Sequence, residues 1–474
     1  MWRRSAARYA APTVVDRKSI AGQTVSTMSN GLKILSIEHG GWSSSLGVFS
    51  YNGRSCEQPA HVGSTALLEC SVSKANLLYD QAELARALAC LGNNVKMMNH
   101  RELTCHIMHV PRYSIEQGLR ILNGIALHPI RDEATFTSAK SLAQQNLELI
   151  SRDATRCCFE AIHQAAWRGS PLGVPEHPSE ADLEKLTFEN FRAFHASHTV
   201  PERSCVVGAG VADHESFVDL VLKTVEFPKS DVKATPLSPN TYSGGEQLVH
   251  VTEAPASVKK FEERALTHMG LCFKGVTMDD PDYFSASVIQ TLLGGGTSFS
   301  SGGPGKGMHT KLFREVINRE GWIHGIECVT AWYRDSGLVG LYGQAPHEWN
   351  NQLLQTMMAQ AATIPERVTE QHWEMAKNQL MSQLILLGET RDILVEEAGK
   401  MMLNHGKFLV AEDLVKGTSS LTLNDLRRVC DRMMNDPITL VVYGNTNKLP
   451  DVATVSDRLQ AAQRQAAKKR KEVE

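Results

Sequence analysis

A glycine-rich segment at residues 294–307 is the stretch whose residue types point most directly to ligand binding. It reads GGGTSFSSGGPGKG, so half of its residues are glycine. Glycine reaches backbone angles that other residues avoid and has no side chain, so backbone N–H and C=O groups can approach a ligand closely. Phe299 and Lys306 are its only large side chains. It lies between two predicted helices, 283–293 and 308–320, and we expect an inserted loop that is not part of a sheet.

A phosphate-binding loop is the first alternative for this segment. The Walker pattern requires Gly-Lys followed by Ser or Thr, whereas Lys306 is followed by Gly307 and Met308. A dinucleotide fingerprint also fails, because Thr310 stands where the third glycine is needed. Nucleotide binding is therefore disfavoured, and a surface loop without a function is the remaining alternative.

Histidine spacing offers only weak candidates for a metal site. His347-Glu348 begins the H-E-x-x-H pattern of zinc peptidases, but Asn351 occupies the position of the second histidine. His106 and His109 lie three apart on a predicted strand, so their side chains should point to opposite faces. His195 and His198 have no carboxylate or cysteine at ligand spacing. Both pairs are therefore expected to be packing or surface residues. No G-x-S-x-G turn or catalytic Cys/His signature indicates another hydrolase.

The elements around these residues recur in the same order in both halves of the chain. Apolar runs predict strands at 32–37, 45–51, 103–110 and 204–208 in the first half, and at 265–272, 337–343 and 439–444 in the second. Helical spacing predicts helices at 62–73, 81–91, 115–126, 133–166, 186–195 and 215–224, then at 283–293, 348–361, 370–387, 390–403 and 421–433. Two helices in matching positions both open with Leu-Thr, at 186–187 and 421–422. The chain is therefore predicted to hold two copies of one α+β unit of roughly 200 residues each.

The stretch between the two copies has the composition of a linker. Residues 227–245 contain Pro228, Pro236, Pro239 and the pair Gly244-Gly245. This predicts an N-terminal domain at 24–226 and a C-terminal domain at 246–450 that carries the glycine-rich segment.

Composition excludes several classes of protein. The chain has 474 residues, of which 42% are hydrophobic and 21% charged, so a sizeable core can form and global disorder is excluded. A formal net charge of -3 argues against a nucleic-acid-binding protein. No apolar run is long enough for a membrane-spanning helix. Ten cysteines without a C-x-x-C pair indicate reduced thiols and a reducing compartment, such as the cytosol or the mitochondrial matrix.

The two ends of the chain are basic. Residues 1–12 contain Arg3, Arg4 and Arg8 with no acidic residue before Asp16, which favours a mitochondrial presequence over the basic N-terminus of a cytosolic protein. The C-terminal stretch 458–474 is rich in Ala, Gln, Lys and Arg, which indicates an exposed basic helical tail.

One family resembles this chain from about residue 24 to residue 447. The run LLGGGTSFSSGGPGKGMHTKL at 292–312 resembles the glycine-rich loop of mitochondrial processing peptidase α subunits, which belong to the pitrilysin-type inverzincin metallopeptidases. Tyr242–Glu246, Pro171–Gly173 and Ser204–Asp213 are similar to the same family more loosely. The resemblance implies two homologous α+β domains, each an antiparallel or mixed β-sheet covered by helices.

The resemblance also implies a degenerate metal site. Peptide-cleaving relatives carry H-x-x-E-H on a helix, where the two histidines and a later glutamate bind Zn²⁺. Here Ala66 and Cys70 stand at the two histidine positions, Glu69 remains, and Asn146 fits the position of the third ligand. We therefore expect no metal and no cofactor on this chain.

The function implied is that of a non-catalytic, substrate-recognition subunit in the mitochondrial matrix, paired with a catalytic β subunit that holds the zinc. Its ligands would be the presequence peptides of imported precursors, bound by the glycine-rich segment through Gly294, Gly295, Gly296, Phe299, Gly302, Gly303, Gly305, Lys306 and Gly307. The alternative is a structural core subunit of the cytochrome bc1 complex, associated with the inner membrane, and one protein could fill both roles.

Overall fold

The structure is a computed structural model, in which residues 12–20, 22–92, 95–228, 236–251, 266–277, 279–297, 308–447 and 449–471 are described. All but the last residue of the predicted presequence lies outside these ranges. Residues 298–307 of the glycine-rich segment also lie outside them.

A mixed sheet of seven strands forms the centre of the first half. The strands are β1 Val14–Ile20, β2 Gln23–Met28, β3 Lys33–Ile37, β4 Ser43–Ser50, β5 Lys96–Asn99, β6 Thr104–Pro111 and β7 Ser204–Ala209. Their spatial order is β1-β2-β3-β7-β4-β6-β5, and only β3 and β7 run parallel.

A second mixed sheet of six strands forms the centre of the second half. The strands are β8 Gly245–His250, β9 Leu266–Lys274, β10 Gly295–Thr297, β11 Gly325–Trp332, β12 Gly337–Pro346 and β13 Thr439–Gly444. Their order is β10-β11-β12-β9-β13-β8, and only β13 and β8 run parallel.

Fifteen α-helices are present in the described residues. Eight precede the second sheet: α1 Ser64–Ser71, α2 Gln81–Leu91, α3 Ile115–Leu122, α4 Glu133–Ser151, α5 Ala154–Ala166, α6 Glu180–Lys185, α7 Phe188–His198 and α8 His214–Thr224. Seven lie between or after the strands of that sheet in chain order: α9 Tyr283–Leu293, α10 Asn350–Arg367, α11 Glu370–Leu387, α12 Arg391–His405, α13 Ala411–Ser419, α14 Leu423–Asn435 and α15 Val452–Lys471.

The two sheets confirm the predicted duplication. The order β3-β7-β4-β6-β5 in the first sheet and β8-β13-β9-β12-β11 in the second have the same succession of one parallel pair followed by three antiparallel pairs. The strands correspond one to one in chain order. The α+β class with two homologous halves is therefore correct.

Each half contributes one segment to the compact unit formed by the other. One unit comprises residues 1–145, 177–237 and 387–408, and the other comprises 146–176, 238–386 and 409–474. Helix α12 packs on β4, β7 and β6 of the first sheet, and α5 packs on β13, β9 and β8 of the second. The contiguous boundaries predicted at 24–226 and 246–450 miss this exchange.

Side-chain packing explains why the exchanged helices lie where they do. Val395 and Met402 of α12 pack with Phe49 and Val207 in the first unit. Cys158 and Ile162 of α5 pack with Cys272 and Val441 in the second. Burying such side chains stabilises each sheet face by about 25 cal/mol per Å² of apolar surface.

Local sequence signals define the helix ends. Thr187, predicted to cap α7, accepts the N–H of Asn190 on its Oγ1 at 3.2 Å. At the matching helix α14, Asp425 accepts hydrogen bonds from the N–H and the hydroxyl of Thr422, both at 2.8 Å. The shared Leu-Thr pairs are therefore matching helix starts.

The C-terminal tail is longer and better anchored than predicted. Helix α15 begins at Val452, and its Val455 and Leu459 are buried in the core of the second unit. Only its later part carries the basic run.

Of the histidines that the sequence disfavoured as metal ligands, His106, His195 and His198 are buried, whereas His109 and His347 are partly exposed. Burial lowers the pKa of His106 to about 3 and that of His195 to about 4. They are therefore neutral at physiological pH. All ten cysteines lie in the described residues, and no disulfide joins them. Among the described helices, none combines the length and the apolar run that crossing a membrane requires.

Candidate functional site

The first residues of the glycine-rich segment form the edge strand β10 of the second sheet. Gly295 lies opposite Glu327, Gly296 opposite Ile326, and Thr297 opposite Gly325 on β11. The expectation that the segment takes no part in a sheet is therefore wrong for these three residues. Glycine has a low strand propensity, so the sequence favoured a loop.

Close contacts require glycine at Gly294, just before the strand, and at Gly295 within it. Gly294 has φ +54° and Gly295 has φ +108°, in the region that L side chains rarely adopt. A Cβ on Gly294 would lie 2.3 Å from Thr310, and a Cβ on Gly295 would lie 2.1 Å from the carbonyl oxygen of Ile326. These glycines thus let the edge strand approach its neighbours more closely than any other residue could.

Hydrogen bonds hold the start of the segment on both sides. The N–H of Cys328 donates to the carbonyl of Gly294 at 2.8 Å. The N–H of Gly295 donates to Oγ1 of Thr310 at 3.2 Å, which ties the segment's start to the chain that follows it. The regular helix predicted at 308–320 is absent, and Phe313–Ile317 instead forms a π-helical turn anchored by buried Phe313 and Val316.

Of the nine predicted binding residues, the structure describes only the first three. Gly294, Gly295 and Gly296 lie together at the sheet edge. The others lie outside the described residues: Phe299, Gly302, Gly303, Gly305, Lys306 and Gly307. Their role stays a prediction.

A half-buried carboxylate that sequence reasoning missed lies beside the glycine strand. Glu327 is opposite Gly295 on one side and Tyr342 on the other. Burial raises the pKa of its carboxyl group, and no ion pair offsets that burial within the described residues. The only signal in the sequence is one acidic residue within the otherwise uncharged strand 325–332.

A small basic cavity is lined in part by Thr310, the residue that accepts the hydrogen bond from Gly295. Its volume is about 40 Å³, and its lining includes Lys311, Arg314, Arg367 and one acidic residue, Glu315. Burial lowers the pKa of Lys311, whose Nζ lies 2.5 Å from Oε2 of Glu315. Cations therefore outnumber the single carboxylate there, which disfavours binding of another cation at this cavity.

The degenerate motif predicted at 66–70 lies on helix α1, as expected for its position. Ala66 and Cys70 are one turn apart, Cys70 is buried, and Glu69 is exposed. Asn146 lies on α4, within the segment that belongs to the second unit.

A buried ion pair holds the N-terminus of α1. The carboxylate of Glu57 accepts the N–H of Gly63 at 2.8 Å and both the N–H and the hydroxyl of Thr65 at 2.7 Å. Nη1 of Arg54 lies 2.6 Å from the same carboxylate, and both side chains are almost fully buried. Helix α1 is therefore held at its start by an ion pair and by hydrogen bonds to Glu57.

Two family models match the chain across both halves. "Insulinase (Peptidase family M16)" matches residues 33–176, and "Peptidase M16 inactive domain" matches residues 185–380. Together they span well over half of the 474 residues.

The chain belongs to the M16 peptidase family. The predicted membership of the pitrilysin-type metallopeptidases is thereby confirmed.

Within this family, the chain matches α subunits of the mitochondrial-processing peptidase along nearly its whole length. The subunit of Solanum tuberosum is 26% identical over 95% of this chain and 87% of the relative. The Caenorhabditis elegans subunit is 26% identical over 91% and 86%, and the Homo sapiens subunit is 23% identical over 90% and 82%.

A solved structure has the same fold. A chain in "Complex III2 from Candida albicans, Inz-5 bound" superimposes with a TM-score of 0.77 over 92% of this chain and 99% of that chain, at 16% sequence identity. At this identity the match speaks for the fold alone.

The residues on α1 do not fit the zinc site of the peptide-cleaving M16 members. Their H-x-x-E-H motif needs an imidazole at both ends. Ala66 has no atom that can bind a metal, and the Cys70 position would offer a buried sulfur instead of an imidazole. We therefore derive no metal-dependent step for this chain.

Proposed function

We propose that this chain is the non-catalytic, substrate-recognition α subunit of a heterodimeric mitochondrial processing peptidase. In this proposal it pairs with a β subunit that carries zinc on an intact H-x-x-E-H helix and removes presequences from imported precursors. The proposal rests mainly on one combination: full-length similarity to α subunits together with an α1 helix that has Ala66 and Cys70 at the ligand positions.

The glycine-rich segment is the proposed peptide-binding element. Extended peptides commonly bind at sheet edges, where backbone groups supply affinity. Strand β10 is the end strand of its sheet among the described residues, and the chain continues from it into 298–307. We assign recognition to Gly294–Gly296 and, with them, to the remaining predicted residues of the segment.

The mitochondrial matrix is the proposed location. The basic residues at 1–12 support a presequence, and the relatives with matching length carry mitochondrial names. The catalytic β subunit and presequence peptides are the proposed partners.

A second candidate function is that of a core subunit in the cytochrome bc1 complex. The observation that favours it is the shared fold with a chain of a Complex III2 structure. The glycine-rich segment favours the peptide-binding role, because backbone without side chains can approach an extended peptide closely.

Affinity purification from mitochondria separates the two candidates. The tagged chain should recover one H-x-x-E-H protein in equal amount, together with precursor-cleaving activity. Recovery of cytochrome subunits without cleavage would support the core-subunit role instead.

Deletion of residues 295–303 tests the role of the segment itself. The shortened chain should still pair with the β subunit and should bind precursors more weakly. Unchanged processing by the reconstituted pair would refute the assignment of substrate recognition to this segment.

A further inference from the structure

We infer that Glu327 is the carboxylate that receives a basic side chain of the bound peptide. This inference rests on the proposed function and adds to it a specificity-determining residue at the start of the glycine-rich segment.

Sheet register places glycine at two of the positions that neighbour Glu327 on its face of the sheet. Residues directly opposite each other in antiparallel strands share a face, as do residues two apart on one strand. Gly295 lies opposite Glu327, and Gly325 lies two residues before it. Two of its immediate neighbours on this face therefore have no side chain.

Other neighbouring positions on this face carry side chains, namely Val329, Tyr342 and Gln344. Tyr342 lies opposite Glu327 on β12, and its hydroxyl is held by hydrogen bonds with Nδ1 of His268 at 2.6 Å and Oγ1 of Thr155 at 3.1 Å. The side-chain amide of Gln344 lies close to Gly325, since a Cβ on that glycine would be 3.0 Å from its Nε2. The side chain of Tyr342 is thus held in place before any ligand binds.

The charge of Glu327 has no counterpart in the described part of the chain. No described Lys, Arg or His forms an ion pair with it, although it is partly buried. A partly buried carboxylate without a cation loses hydration and gains little in return. A guanidinium or ammonium group from a ligand would supply the missing interaction.

The contacts of Gly295 favour a route by which the peptide's basic side chain reaches Glu327 across the face of the sheet. The outward N–H of Gly295 is already bonded to Thr310, so a peptide does not need to pair with the backbone at this residue. The long side chain of Arg or Lys can instead reach over the bare backbone of Gly295 and Gly325 to the carboxylate. The ligand class is therefore an extended basic peptide, which agrees with the class of substrate proposed above.

A double-mutant cycle tests the pairing. The ligands are a fluorescein-labelled basic presequence peptide with all its arginines and a set of its variants, each with a single Arg→Gln change. Each peptide is titrated into the complex of the full-length chain and the β subunit, and into the same complex with Glu327→Gln. We expect Glu327→Gln to weaken the all-arginine peptide by roughly fivefold to tenfold, as for a charge-assisted hydrogen bond that is partly solvent-exposed. One of the Arg→Gln peptides should bind the unchanged complex more weakly than the all-arginine peptide by a similar factor. The same peptide should bind the Glu327→Gln complex no more weakly than the all-arginine peptide does.

Glu348→Gln is the matched control, because Glu348 is an exposed carboxylate in the same unit, with 52% of its side chain accessible. It should leave all affinities unchanged. If the complex binds the peptides but the affinity losses from Glu327→Gln and from every Arg→Gln change simply add, this inference is overturned while the proposed function stays in place. Failure of the unchanged complex to bind any basic peptide overturns both.

Discussion

Gly295→Ala is expected to release strand β10 from the second sheet while the rest of the protein stays folded. The new Cβ would lie 2.1 Å from the carbonyl oxygen of Ile326 and 2.6 Å from the Cα of Glu327. Both of these atoms are backbone, so neither can move aside without distorting β11. The residue would also have to keep φ near +108°, which alanine rarely adopts.

The size of this strain exceeds what the edge strand can offset. A non-glycine residue in such a conformation costs about 1–3 kcal/mol, before the overlap is counted. Strand β10 has three residues and only a few hydrogen bonds, each worth about 1 kcal/mol net. The strand should therefore detach, and the melting temperature should change little because the core strands β9, β12 and β13 are unaffected.

Peptide affinity is the property that should change most. Re-ordering three backbone residues when a peptide binds costs about 1–2 kcal/mol for each residue, so affinity should fall by at least about a hundredfold. Fluorescence anisotropy with a labelled basic presequence peptide and the reconstituted complex measures this. Gly321→Ala is the control, since a Cβ at that position meets nothing within 4 Å. Equal affinities for the unchanged complex, Gly295→Ala and Gly321→Ala would refute the reasoning.

Three further substitutions test other parts of the account. Glu57→Ala should lower the free energy of unfolding by about 3–5 kcal/mol, because it breaks the buried ion pair with Arg54 and removes the acceptor of the hydrogen bonds from Gly63 and Thr65; denaturant unfolding measures it, and a loss below about 1 kcal/mol would contradict the role of this pair. Glu69→Gln should leave precursor cleavage by the reconstituted pair unchanged, since no histidine stands beside it to hold a metal; a loss of several orders of magnitude would show a working metal site. Glu327→Gln should raise the melting temperature at neutral pH, because the pKa of this carboxyl is raised in the folded state and its ionisation therefore opposes folding. The gain should shrink as the pH falls through the raised pKa of the folded state and should vanish below the pKa of the unfolded state, where the carboxyl is protonated in both states; a gain that does not vary with pH would contradict it.

Much of the fold follows from local patterns. Helical periodicity locates 81–91, 283–293 and 370–387 with the bounds that the structure has. The repeated order of elements predicts two related sheets, because it depends on the succession of elements and not on their packing. The glycine-rich segment alone indicates the family.

The parts that the sequence did not predict depend on distant contacts. The apolar faces of α5 and α12 show that these helices are buried, but each packs on the sheet that is built mainly from the other half of the chain. Strand β10 forms because it pairs with β11, although its glycines have a low strand propensity. The position of Glu327 opposite Gly295 is likewise a consequence of register, and no spacing rule along the chain predicts it.

Reconstitution with separately purified subunits tests the central claim most directly. The β subunit should cleave a precursor efficiently only when this chain is added, and zinc should copurify with the β subunit in equal amount but not with this chain. Cleavage by this chain alone, with stoichiometric zinc bound to it, would contradict the account.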